Sequence, residues 1–185
     1  MADGLDRLDE WLAEARADEA AAARVRERWM AQQVSEQARF ALVLTDAATR
    51  GVPVRLRTAR AAHAGRLTAV GHDFVALRTT RGSVVLVATQ AIGVVETAAG
   101  TALGGGREPR EDGDVEVTEW LADRLADAAP DRPPVEVRVA GGERVVGELR
   151  AAGVDVVTVR TGSEPAADCY VPLASVSEVT FLGSG

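Results

Sequence analysis

The sequence contains no lysine and no asparagine, one cysteine, two histidines and only 4% aromatic residues. A lone cysteine, Cys169, excludes an internal disulfide framework and agrees with a reducing compartment. With so few aromatics, and an apolar complement made mostly of Ala, Val and Leu, each core must be light and gains from packing on something else. No apolar run approaches the roughly 20 residues that cross a bilayer. Met1 is followed by an acidic stretch without a signal-peptide pattern. The expectation is a cytoplasmic protein with no membrane partner.

The same scarcity bears on chemistry. A metal site needs three or four converging ligands, and His63, His72 and Cys169 do not supply a recognisable set. Cys169 reads as a small buried hydrophobe. Ser175 and Ser177 have no glycine elbow around them. Gly104-Gly105-Gly106 lacks the Lys-Ser or Lys-Thr and the strand-to-helix context of a phosphate loop. A non-enzyme with no cofactor and no metal is expected.

What is present is an internal repeat. The stretch Val54–Glu96 has a weaker counterpart at Val135–Phe181. Gly65 lies over Gly147, Gly71 over Gly153, Asp73 over Asp155, and Arg78-Thr79 over Arg160-Thr161, each 82 positions apart. Val54 and Leu56 match Val135 and Val137 at 81, while Val87 and Ile92 match Val171 and Val176 at 84. The shifts fall in turn-like stretches, where insertions are tolerated.

Each copy reads as five short strands behind a helix. Val54, Leu56 and Thr58 alternate, Arg60 to His63 turn, Gly65, Leu67 and Ala69 continue, and Gly71-His72-Asp73 makes a tight turn. Phe74–Thr79, Val84–Ala88 and Ile92–Glu96 complete the set. Ahead of it, Leu5, Leu8, Leu12 and Ala15 recur at helical spacing, and Asp18–Ala48 holds neither Gly nor Pro. Thr49-Arg50-Gly51-Val52-Pro53 stops that helix. Val117–Ala129, with Trp120, Leu121 and Leu125 on its apolar side, leads the second copy. The expected organisation is therefore α+β: an N-terminal helical segment (1–34), a first small antiparallel barrel with its leading helix (35–97), a flexible linker (98–114), and a second barrel with its helix (115–182).

A helix before five short bent strands, Gly-x-Leu entering the second strand, an Asp turn before Phe-Val-Ala-Leu, and a one-turn link between strands four and five resemble the Sm-like fold, particularly its Hfq-like branch. Other SH3-like small barrels share the strand pattern. The resemblance covers residues 35–97 best and 117–182 less well. It implies barrels that associate through their fourth and fifth strands, and often RNA binding. The family's aromatic, Lys and His before Ala-Ile are replaced by Ala88-Thr89-Gln90 and by Val171-Pro172-Leu173. The fold is carried over, and the nucleotide pocket is not.

Charge is segregated along the chain. Residues 50–97 hold seven Arg against Asp73 and Glu96, a net of +5, inside a chain whose total is −7. Arg55 and Arg57 share one face of the first strand, and Arg60, Arg66, Arg78 and Arg81 extend it. With Gln90, these are the candidate partner-binding or nucleic-acid-binding residues. Cations suit phosphates, but the stacking aromatics of a single-strand binder are missing. The favoured reading is a non-enzymatic adaptor or assembly protein that acts on a protein partner or on copies of itself. The alternative is a nucleic-acid-binding regulator using the Arg face.

Overall fold

Alternation decides the first strand. β1 (Pro53–Arg57) buries Val54 and Leu56 and turns Pro53, Arg55 and Arg57 outward. β2 (Ala62–Val70) runs antiparallel to it with Leu56 opposite His63 and Arg57 opposite Ala62, so the ladder starts inside the stretch expected to be a turn. β3 (Phe74–Thr79), β4 (Val84–Ala88) and β5 (Val94–Thr97) follow. The second set is β6 (Pro134–Val139), β7 (Arg144–Ala152), β8 (Val156–Thr161), β9 (Asp168–Pro172) and β10 (Val176–Phe181). This computed structural model describes residues 39–104, 118–162 and 165–183. The expected helices over residues 1–34, and residues 105–114 of the expected linker, lie outside the described residues.

The two sets share their geometry in detail. The irregularity between Leu67 and Ala69 in the β2–β3 ladder recurs between Leu149 and Ala151 in β7–β8, 82 residues on. Gly65 and Gly147 sit where a Cβ would run into the carbonyl oxygens of Arg78 and Arg160 respectively. A glycine entering the second strand is thus required by close approach of the third strand's backbone.

Two closed barrels, each behind its own helix, are not what the described residues form. The described strands make one open antiparallel sheet in the order β5-β1-β2-β3-β4-β10-β6-β7-β8-β9. The described helices are α1, over residues 39–49, and α2 (Leu121–Ala128). The physical reason lies at β4. Closing the first set would need β4 to pair with β5, but its free edge is taken by β10, with Val84 to Val87 opposite Phe181 to Glu178. One edge forms one ladder. β5 and β9 are left as the ends of the sheet.

The junction is a continuous core. Phe74, Ala76 and Leu86 of the first set cluster with Leu121, Leu125, Val135, Val137, Leu149, Val157 and Val179. β3 buries four residues in succession, Phe74 to Leu77, as a strand covered on both faces does. Leu42–Gly185 accordingly form one compact unit. The sheet is also strongly curled. Flat, β2 and β10 would stand three strand spacings apart, about 14 Å, yet His63 Nε2 on β2 lies 2.9 Å from Glu178 Oε2 on β10.

Candidate functional site

The outward face of β1, β2 and β3 gathers three arginines around one hollow. Arg66 stands directly opposite Arg78 across the β2–β3 ladder and opposite Pro53 across β1–β2, which makes Arg55 its diagonal neighbour. Arg55, Arg66 and Arg78 are all exposed and line a hollow of about 670 Å³ together with Gly65, Thr68 and Thr79. Glu96 also lines it and faces Arg55 in register, but its Oε1 is bonded by Arg57 Nη1 at 3.0 Å. Arg55, Arg66 and Arg78 have no ion-pair partner among the described residues. The Thr79 side chain lies on the other face of β3, in the row of Val54 and Gly65, and its buried Oγ1 has no hydrogen-bond partner among the described residues.

The equivalent positions in the second set are electrically balanced. Arg55 and Arg66 correspond to Glu136 and Glu148. Arg78 corresponds to Arg160, which faces Glu148 across β7–β8 and bonds Asp168 through two nitrogens at 2.8 and 2.9 Å. The Arg160 hydrogen bond holds the Asp168 carboxyl below its ordinary value, and Asp168 in turn raises the guanidinium. Thr161, the counterpart of Thr79, donates to the Ala167 carbonyl.

The remaining candidates are scattered. Arg57 is spent on Glu96. Arg60 carries its guanidinium to the Gly142 turn of the second set. Arg81 is exposed beside a smaller hollow of about 360 Å³ that His63 also lines. Gln90 reaches the Ala174 carbonyl at 3.4 Å and lines a different cleft, about 690 Å³, between α2 and the strand ends. No family model matches the chain, and neither does any curated protein.

That cleft contains Asp73, Trp120, Asp123 and Asp155. Asp73 accepts from the Leu121 N–H at 2.7 Å and Asp123 from the Trp120 N–H at 3.1 Å, so both carboxylates serve the first turn of α2. His72, from the β2–β3 turn, packs on Trp120 with ring centroids 4.9 Å apart. Asp73 therefore does more than shape its turn: it anchors the second set's helix onto the first set.

The sequence also concealed a charged group at the junction. Glu178 is 0% exposed, with His63 Nε2 at 2.9 Å and Arg138 Nε at 3.1 Å, the latter at ion-pair distance without hydrogen-bond geometry. Arg138 also donates to Glu136 at 2.7 Å. A single Glu in an apolar strand was the available signal, and its partner lies 115 residues away. Among the described residues no three His, Cys, Asp or Glu side chains are grouped to hold a metal, and no helix is long and apolar enough to cross a membrane.

Proposed function

We propose that the chain is a non-enzymatic assembly or adaptor protein that works by adding strands to the two ends of its sheet, in the manner of Sm-like small barrels. The observation that carries this reading is the β4–β10 ladder: two repeated units already associate through a fourth and a fifth strand. The sheet ends on the same two kinds of strand, β9 and β5, and no strand pairs with their outer edges among the described residues. Unpaired edges are templates for another strand. Heterologous contacts of this kind build rings or filaments of identical chains. Tyr170 on β9 is 70% exposed and Val94 on β5 is 43% exposed, so both edges carry apolar surface to bury.

Transferring the β4–β10 register to the ends of the sheet places Val171 of one copy opposite Val94 of another, and Cys169 opposite Glu96. Mixing Glu96→Cys/Cys169→Ser protein with the natural chain under mild oxidation, with light scattering alongside, tests this. The expected result is a species larger than a monomer and a disulfide between positions 96 and 169, identified by peptide mass. A monomer at every concentration, with no such cross-link, would remove self-association and leave only a foreign strand as partner.

A second reading has its own support in the three arginines that have no ion-pair partner among the described residues: a nucleic-acid regulator working through the outer face of β1–β3. It predicts oligonucleotide affinity that falls steeply with salt and is lost in Arg55→Glu/Arg57→Glu protein.

A further inference from the structure

We infer that the hollow lined by Arg55, Arg66 and Arg78 is a binding site for a phosphate group. The proposal does not depend on strand addition, and it narrows the nucleic-acid reading to one place and one chemistry.

Two like charges directly opposite each other across a ladder oppose sheet formation. Arg66 and Arg78 hold that position, with Arg55 diagonal to Arg66, and no described carboxylate neutralises the three. The nearest acid, Glu96, is bonded to Arg57. An anion in the hollow would turn this repulsion into attraction, because each guanidinium presents planar N–H donors.

The second set acts as an internal control. The same backbone there carries Glu136 and Glu148 in place of two of the arginines, and Arg160 is tied to Asp168. The sheet does not need the three cations to fold.

Three guanidiniums suit a group with several acceptor oxygens and more than one negative charge. A phosphate meets that description; a carboxylate is satisfied by one arginine. The volume of about 670 Å³ admits more than one phosphate, so the source is either a nucleic-acid backbone or a small phosphate compound.

Binding is measured by calorimetry with inorganic phosphate and tripolyphosphate, and by fluorescence polarisation with a single-stranded RNA and a duplex DNA of equal length, at low and moderate salt. Arg66→Ala/Arg78→Ala protein is compared with Arg60→Ala/Arg81→Ala protein, which loses the same charge outside the hollow. Urea unfolding of each variant establishes that it is folded. The expected result is binding of at least one class of probe, weakened about tenfold or more in the first variant and no more than about threefold in the second. Saturable tripolyphosphate binding without oligonucleotide binding assigns the site to small phosphates, and the converse assigns it to a nucleic-acid backbone. No binding of any probe at low salt overturns the site. Equal weakening in both variants also overturns it, since the effect is then diffuse charge, while leaving the nucleic-acid reading in place.

Discussion

Glu178 shows how strongly one side chain can depend on partners remote in sequence. Removing its His63 contact leaves a fully buried carboxylate held by Arg138 alone, and an uncompensated buried charge is expensive. His63→Ala is expected to cost about 1–3 kcal/mol in urea unfolding. At the corresponding positions elsewhere in the chain, Val145 stands for His63 and Val94 for Glu178. The double change His63→Val/Glu178→Val should therefore lie within about 1 kcal/mol of the natural protein, because an apolar pair of fitting shape replaces a hydrogen-bonded polar pair at little cost. If the double variant loses as much as the two single variants summed, the pair is not acting as a coupled unit.

At the scale of elements, the informative contact is the one between α2 and the first set's β2–β3 turn. The α2 entry is held by Asp73 through the Leu121 N–H, and the His72 N–H donates to the Glu119 carbonyl. Trp120, at the position before the helix, has no side-chain acceptor of its own, so the Leu121 N–H is capped from outside the helix. Asp73→Ala is expected to cost about 1 kcal/mol, the usual value of an N-terminal cap. Asp155 occupies the equivalent turn but is exposed and takes no such bond among the described residues, so Asp155→Ala should change stability by less than about 0.5 kcal/mol. Equal losses in the two variants would show that turn geometry, and not capping, is what Asp73 contributes. The paired turns were legible in the repeat; their different duties were not, since Leu121 is 48 residues from Asp73.

For the whole molecule, the consequence of the β4–β10 ladder is mechanical. Phe74 and Leu86 lie in one core with Val157 and Val159, so the two sets cannot open independently without exposing each other's apolar surface. Amide hydrogen exchange should give the slowest amides of β3 and β4 the same opening free energy as those of β7 and β8, and both should equal the global value. Opening of one set well below the other would mean that the ladder joins two separately stable domains.

Local pattern was enough for most strands and turns, for the repeat and for the outward face of Arg55 and Arg57, though β2 begins at Ala62, inside the expected Arg60–His63 turn. All of these follow from local alternation, from glycine and aspartate at turns, and from offsets along the chain. Arg66 and Arg78 could be named as cations on that face, but not as direct neighbours, because cross-strand register is not a local property. The tertiary structure decided how the strands close. β5 and β10 carry equivalent positions of the repeat, and either could in principle meet β4. The choice rests on the shared core, the Asp73 cap and the His63–Glu178 contact, each linking residues far apart in sequence. Local pattern specifies which faces are apolar; only the folded chain specifies which edge meets which.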